Sequence, residues 1–228
     1  MIRLLLFFLI ISCNTPEQKS TFIPAFDSKT AFSYLELQCD FGPRNPGSNG
    51  HINFSNYLNN FLKQLNGELI VQDFLYIEPI TDSQRAGKNF IIQFNSDANY
   101  RLLLGAHWDT RSFSDQDDNA DNFNSPVLGA NDGASGTAVL MEIANIISDN
   151  NPNIGIDIVF FDAEDGGIAG KPETFALGAK YFAENLPIKK PDFAIIVDMV
   201  GDKNLTIPIE RISYSIAPEK VKQIWGLA

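Results

Sequence analysis

The chain has 228 residues and a formal net charge of −11, with 44% hydrophobic and 20% charged residues. This length suffices for one sizeable α/β core and does not require a second domain, and the composition excludes a disordered chain. The acidic balance argues against nucleic acid as a partner, because phosphates are bound by Lys and Arg.

The first twenty residues predict a lipoprotein signal and a short tether. Arg3 precedes an apolar run at residues 4–11 that is too short to span a bilayer. Cys13 follows at the expected cleavage position, in a context that resembles a lipobox. We therefore expect a protein that is lipid-anchored to the membrane through Cys13, in the periplasm or at the cell surface. A plain secretory signal that contains Cys13 is the alternative.

The remaining residues, 21–228, are predicted to form a single α/β domain. Asp27 or Ser28 caps a first helix, and apolar residues spaced three and four apart indicate a second helix that continues to residue 65. The later elements in chain order are strands at 69–76, 89–95 and 101–106, a long loop at 109–129, a buried helix at 134–147, a strand at 156–161, a helix at 174–185, a strand at 193–197, a possible strand at 205–209 and a helix that begins at Pro218. Continuous apolar strands that alternate with helices predict a mostly parallel central sheet with helices on both faces.

Several polar residues along this path are interpreted as structural. His51 lies in the polar start of an amphipathic helix and is expected at the surface. Cys39 is expected to be a small buried apolar side chain, because no neighbouring base marks it as a nucleophile. The acidic residues of the long loop lack the glycine and the closing glutamate of a calcium-binding loop, and a solvated loop is expected there.

Acidic clusters follow three of the apolar strands. The first strand leads to His107 and Asp109, the second to residues 162–165, and the third to Asp198. If these strands are parallel, their carboxyl ends meet at one edge of the sheet, where open α/β folds bind their ligands. Asp132 precedes the buried helix and can join them.

Carboxylates gathered in one crevice cannot all stay ionised without a cation, and His, Asp and Glu are together the ligand set of a catalytic zinc. The neighbouring Glu164 and Asp165 diverge on an extended strand end, so one can bind metal while the other acts as acid or base. Each residue alone has a simpler interpretation: Asp132 as a helix cap, His107 as a core histidine.

The motifs at these positions are similar to those of bacterial members of the animal-type glutaminyl cyclases, which share a fold with zinc aminopeptidases. The resemblance runs from about Phe41 to Trp225 and is carried by four segments: GAHWDTR at 105–111, LGANDGASG at 128–136, FFDAED at 160–165 and VDMVG at 197–201. It implies a zinc-dependent enzyme that converts the N-terminal glutamine of peptides to pyroglutamate and releases ammonia.

Site roles follow from this resemblance by position. It implies that Asp132 and Asp165 are zinc ligands, that Glu164 is the general acid/base, and that Asp198 is a catalytic residue that holds the shifting proton. His107 matches a residue that binds a second zinc in the aminopeptidases and does not contact zinc in the cyclases. His107 and Asp109 are thus candidates for supporting the site or for a second metal.

Three departures accompany the resemblance. The cyclases bind zinc through a His late in the chain, whereas this sequence has only His51 and His107. Relatives often carry Trp where this chain has Phe175, and the match stops after Trp225. The chain is therefore expected to be incomplete at its C-terminus and inactive as it stands. A two-zinc aminopeptidase and a non-catalytic relative are the alternatives.

Overall fold

The computed structural model describes residues 23–227, so the predicted anchor at Cys13 lies outside the described residues. Helix α1 begins after Asp27, whose carboxylate accepts hydrogen bonds from the backbone N–H groups of Lys29 and Thr30. The elements in chain order are α1 (Ser28–Asp40), α2 (Asn49–Leu62), β1 (Glu68–Glu78), β2 (Ser83–Phe94), β3 (Arg101–His107), α3 (Ala134–Asp149), β4 (Gly155–Phe161), α4 (Leu177–Glu184), β5 (Phe193–Ile196), α5 (Arg211–Ile216) and α6 (Pro218–Trp225), with short 3₁₀ helices at Ala120–Asn122 and Pro172–Thr174.

The five strands form one sheet in the order β1-β2-β4-β3-β5. Strand β3 pairs in parallel with both β4 and β5, whereas β2 is antiparallel to β1 and to β4. The predicted α/β fold is thus confirmed, with β2 as the one strand that runs against the others. Its direction follows from the tight hairpin that joins Glu78 to Ser83, because a short turn can connect only antiparallel strands.

Helices cover both faces of the sheet. Alternate residues of β4 point to opposite faces, with Ile158 and Phe160 on one and Val159 and Phe161 on the other. The first face packs against apolar residues of α2 and α3, and the second packs against α4 through Phe182. Because β4 is buried along its whole length, polar groups that follow it are held in a rigid frame.

A buried ion pair lies at the amino end of β4. Arg101 Nε and Nη2 donate to the two carboxylate oxygens of Asp157 at 2.9 and 2.6 Å, and Gln93 Nε2 donates to Asp157 Oδ1 at 2.8 Å. Arg101 and Asp157 are both almost fully buried. Each carboxylate oxygen therefore has a donor, as a buried charge requires.

Two details differ from the sequence prediction. Residues 205–209 form no strand: they are exposed irregular backbone, and Pro208 has no N–H to donate to a ladder. Cys39 is half-buried rather than fully buried, and burial raises the pKa of its thiol. No helix in the described part of the chain combines the length and apolarity needed to cross a membrane.

Candidate active site

The carboxyl ends of the three parallel strands bring the predicted site residues together. Around the imidazole of His107, Nε2 lies 2.9 Å from Asp132 Oδ1 and 3.4 Å from Asp198 Oδ1. On the other side of the ring, Nδ1 lies 3.5 Å from Asp109 Oδ1 and 4.0 Å from Glu164 Oε2. The predicted convergence of His107 with carboxylates from separate segments is therefore confirmed.

His107 is not a satisfied core histidine. Its side chain is 4% exposed, yet neither ring nitrogen makes a well-directed hydrogen bond within the described residues. Burial lowers the pKa of His107, but the carboxylates of Asp109, Asp132 and Asp198 more than offset this and hold it well above its usual value. The ring thus faces an excess of negative charge.

These side chains could hold a metal ion. Among the residues described, one group of His, Cys, Asp or Glu side chains offers ligand atoms that all lie within 4.8 Å of one another: His107, Asp132 and Asp198. Imidazole and carboxylate donors suit zinc, and a cation would supply the partner that the His107 nitrogens lack. Asp165, which the resemblance implies as a ligand, is not part of this three-residue group.

Asp132 does not cap the following helix. Helix α3 begins after Gly133, which has a left-handed φ of 90° and provides no side-chain cap. A β-carbon on Gly133 would lie 2.6 Å from the carbonyl oxygen of Asp109 and 3.2 Å from the His107 ring, so only glycine fits there. The close approach leaves the Asp132 carboxylate directed at His107.

Asp109 fixes the segment that carries the two neighbouring acids. Its carboxylate is fully buried, and it accepts hydrogen bonds from the backbone N–H groups of Glu164 at 3.0 Å and Asp165 at 3.2 Å. Both oxygens are therefore engaged with protein donors. This geometry suits Asp109 to supporting the site, and its place as a possible second-metal ligand stays a prediction.

Glu164 and Asp165 are acids whose ionised forms are disfavoured by their surroundings. Burial, followed by the nearby carboxylates, raises the pKa of Asp165 to about 8. Burial also raises the pKa of Glu164 to about 7, although His107 opposes the shift. Crowded carboxylates of this kind mark a site where a cation or a proton is expected.

A cavity of about 530 Å³ opens onto these acids. Four acids line this cavity: Asp132, Glu164, Asp165 and Asp198. Its other lining residues come from the long loop and from the segment before α4: Arg111, Phe113, Ser114, Asp115, Gln116, Asp117, Val127 and Phe175. Phe175, a position where the sequence departs from the family resemblance, therefore forms part of the cavity wall.

Arg111 ties the long loop to the acids. Its guanidinium donates to both carboxylate oxygens of Asp115 at 2.7 Å and to the carbonyl oxygens of Asp165 and Gly167 at 2.9 and 3.0 Å. The same group lies 5.7 Å above the centre of the Phe175 ring. Arg111 belongs to one of the segments that carry the family resemblance, but the sequence did not predict these contacts.

The base of the long loop is closed by its own hydrogen bonds. Val127 N donates to the Arg111 carbonyl at 3.0 Å, and Ser114 N donates to the Ser125 carbonyl at 2.9 Å. The four acidic residues predicted to be solvated are all exposed: Asp115, Asp117, Asp118 and Asp121. Asp115 is nevertheless paired with Arg111. The loop is therefore anchored at both sides of its base while its tip faces solvent.

The prediction that His51 lies at the surface is wrong. The residue is 8% exposed, its ring stacks on Trp108 with 4.4 Å between the ring centres, and its Nε2 lies 3.0 and 3.1 Å from the two carboxylate oxygens of Asp162. Burial lowers the pKa of His51, but the facing carboxylate more than offsets this effect. The helix is amphipathic as expected, but its polar start turns toward the end of β4.

Sequence reasoning also missed Arg44. This side chain is fully buried and donates to four backbone carbonyls, those of Gln38, Trp108, Leu128 and Gly129. Burial lowers the pKa of Arg44 to about 10. Arg44 connects the end of β3 to the loop that leads to Asp132. The sequence around Arg44 contains no pattern that predicts this role.

Comparison with known proteins supports these observations. A sequence model of peptidase family M28 matches residues 89–227. Glutaminyl-peptide cyclotransferase of Bos taurus is 22% identical over 188 residues, which cover 72% of this chain and 50% of that protein. The chain thus spans about half the length of the curated relatives it matches.

Solved structures agree with the described fold. Glutaminyl cyclase of Bacteroides thetaiotaomicron superposes with a TM-score of 0.86 at 35% identity, covering 90% of this chain and 73% of that one. A leucine aminopeptidase precursor from the same organism gives a TM-score of 0.85 at 36% identity, covering 90% and 73%. The chain is similar to both kinds of protein over nearly all of its described length.

Proposed function

Because this chain belongs to peptidase family M28, we propose that it acts as a zinc-dependent glutaminyl-peptide cyclotransferase. The reaction converts the N-terminal glutamine of a peptide to pyroglutamate and releases ammonia. The observation that carries this proposal is the position of Glu164, which lines the cavity together with Asp132, Asp165 and Asp198. The chain that holds this site is similar to a solved glutaminyl cyclase over nearly its whole described length.

The residues present suit zinc. Asp132 is shared by both candidate ligand sets, the one with Asp165 that the family resemblance implies and the group with His107 and Asp198. Zinc bound there would polarise the carbonyl of the substrate's γ-carboxamide as a Lewis acid. Its charge would also favour the ionised form of Asp165, whose pKa burial and the neighbouring Asp132 carboxylate raise.

Glu164 is suited to move the proton that the reaction requires. The α-amine nitrogen of the substrate attacks its own γ-carboxamide carbon, a new C–N bond closes the ring, and the bond to the amide nitrogen breaks. Glu164 takes a proton from the attacking amine and gives it to the departing ammonia. Asp109 fixes its position through the Glu164 N–H, and Asp198 accepts a hydrogen bond from the reacting groups.

The cavity contributes by orienting the substrate. The attack is intramolecular, so holding the glutamine side chain folded back on its own amine removes much of the entropic cost. Phe113, Val127 and Phe175 provide apolar surface around the acids. Such surface keeps water away from the carboxamide and favours ring closure over hydrolysis.

The test is product analysis on the full-length protein loaded with zinc. A synthetic peptide with N-terminal Gln should lose one ammonia, seen as ammonia in solution and as the matching mass loss in the peptide. The same peptide with N-terminal Glu serves as the control and should react far more slowly. Release of free glutamine with no loss of ammonia would contradict the proposal.

A two-zinc aminopeptidase is the second candidate, and a specific observation favours it. His107, Asp132 and Asp198 could hold a metal apart from Asp165, and the leucine aminopeptidase precursor is as similar to this chain as the cyclase is. Zinc content after dialysis separates the two: one zinc per chain is expected of the cyclase, and two stable zincs would favour the aminopeptidase.

We also propose that the protein is held on a membrane by a lipid on Cys13. The support is the sequence pattern of Arg3, the apolar run and Cys13. C13S should move the protein from the membrane fraction of its host to the soluble fraction, because it removes the thiol that would carry the lipid. Recovery of the parental protein without a lipid from the soluble fraction would contradict this proposal.

A further inference from the structure

The turn that presents Glu164 contains a residue in an unusual backbone conformation. Ala163 has a left-handed φ of 54°, which L-residues with a β-carbon rarely adopt. It is buried and lies between the end of β4 and Glu164. A conformation of this kind persists only where the surroundings enforce it, so the contacts around Ala163 decide where Glu164 points.

Asp162 enforces this conformation from one side. Its fully buried carboxylate accepts a hydrogen bond from the backbone N–H of Ala163 at 2.8 Å and another from the backbone N–H of Lys88 at 2.8 Å. The carbonyl of Ala163 in turn accepts from Leu177 N at 2.9 Å. The turn is therefore fixed to β2 and to α4 as well as to Asp162.

His51 is the side chain that holds Asp162. Its Nε2 reaches both carboxylate oxygens, and its ring is held against Trp108, whose Nε1 donates to the Lys88 carbonyl at 3.2 Å. Without His51, Asp162 would be a buried carboxylate with backbone donors alone. A buried charge that loses its partner is strongly disfavoured, and the side chain would rotate or take up a proton.

We propose that His51 is a positioning residue for Glu164, an inference that rests on the proposed role of Glu164 as the acid/base. His51 holds Asp162, Asp162 holds Ala163 in its left-handed conformation, and this turn directs Glu164 into the cavity. His51 is not among the described residues that line the cavity. Its influence is on the rate of proton transfer rather than on substrate or zinc binding.

The test compares variants of the zinc-loaded, full-length protein. H51F keeps a ring against Trp108 but removes the donor to Asp162, and H51Q keeps an amide donor. H51F should lower kcat by about 100-fold, the cost expected when a reacting group is displaced by about 1 Å. KM and zinc affinity should be unchanged, and H51Q should retain most of the activity.

Two further variants separate positioning from general destabilisation. Q93L removes a donor from Asp157, the buried carboxylate at the other end of β4, and should lower stability without changing kcat. A163G supplies a residue that adopts the left-handed conformation freely, so H51F should cost much less in kcat when combined with A163G. If H51F does not fold, H51N, whose shorter amide cannot reach Asp162, replaces it.

The proposal is overturned if H51F retains the parental kcat, if H51F and Q93L reduce kcat alike, or if the loss caused by H51F is the same with Ala163 and with Gly at that position. The proposed function fails separately. If the parental protein releases amino acids rather than ammonia, the cyclase assignment is wrong, and the same variants still test His51 with that reaction.

Discussion

Strand β4 carries a buried aspartate near each of its ends, and the two have different surroundings. At the amino end, Asp157 has one guanidinium and one amide as donors, and its charge is balanced by Arg101. At the carboxyl end, the Asp162 carboxylate is paired with His51. Three more acids lie close by in the same region of the site: Asp109, Glu164 and Asp165. One end is a satisfied ion pair, and the other gathers more carboxylates than cations.

The difference separates structural charge from functional charge. Burial alone does not mark a residue as functional, because Asp157 is as buried as Asp109. The informative feature is imbalance: acids whose pKa is raised by burial lie beside an imidazole whose nitrogens make no well-directed hydrogen bond within the described residues. Such an arrangement is unfavourable for the metal-free protein and is relieved by a cation or a transferred proton.

The largest effect of a single substitution is expected on kcat, at the acids that follow the carboxyl end of β4. E164Q keeps the size of the side chain but cannot exchange a proton, so kcat for cyclisation should fall about a hundred- to ten-thousand-fold. Zinc content and thermal unfolding should stay at parental values, measured by mass spectrometry and circular dichroism. Parental turnover in E164Q would show that another group moves the proton.

A change at the balanced end should instead act on stability. R101M leaves the buried Asp157 carboxylate without its cation, which should lower the free energy of unfolding by about 3–5 kcal/mol. The kcat of the folded fraction should be unchanged. The control is R101M/D157L, which removes both charges and should recover much of the loss in urea unfolding; equal losses in both variants would contradict the ion-pair explanation.

A smaller loss of stability is expected when Gln93 is changed, the residue that donates to Asp157 together with Arg101. Q93L removes one donor from Asp157 while leaving Arg101 in place. An incompletely satisfied buried acceptor should cost about 1–3 kcal/mol. Q223L, at an exposed position of α6, is the matched control and should leave the unfolding midpoint where it is, whereas equal midpoints for the two variants would show that Asp157 does not need the amide.

The smallest effect concerns pH and the metal-free protein. The pKa values of Glu164 and Asp165 are about 7 and about 8 in the fold, above their ordinary values of 4.5 and 3.8. The folded state therefore binds protons more tightly than the unfolded state, and its stability should fall as the pH rises from the ordinary values through the folded ones. Solvent screening limits the size of this fall, because the Glu164 side chain is 30% exposed.

Urea unfolding of the metal-free protein across that pH range measures the effect. Zinc should reduce the slope, because it favours the ionised acids. E164Q/D165N, which removes these two acids, should show a clearly smaller slope, and the raised pKa of His107 leaves a residual slope in the same direction. A slope as large as that of the parental protein would assign the effect to residues other than Glu164 and Asp165.

Much of the fold and the site was predictable because apolar strands and the groups at their ends are local features. His107 ends β3, and Glu164 and Asp198 lie within three residues of the ends of β4 and β5. Parallel strands bring such ends together. The opposite direction of β2 was missed because the predicted strands left residues 77–88 between them, which hid the short turn from Glu78 to Ser83. The strand expected at 205–209 failed because pairing depends on a neighbouring strand, which periodicity does not reveal.

The buried contacts of His51 and Arg44 could not be predicted from the sequence. His51 contacts its partner Asp162 across 111 positions of sequence, and the Arg44 guanidinium donates to backbone carbonyls. Neither kind of contact leaves a periodic or spaced signal. A polar residue at the start of an amphipathic helix has the same pattern whether it faces water or a buried carboxylate.

The closed base of the long loop makes its tip a place for protein engineering. The hydrogen bonds of Ser114 to Ser125 and of Val127 to Arg111 tie the two sides together before the tip begins. Doubling the length of a flexible loop costs only about 0.6 kcal/mol of closure entropy. A peptide epitope or a fluorescent label inserted between Asp118 and Asn119, which are both exposed, would therefore extend into solvent and report on the cavity mouth without unfolding its walls.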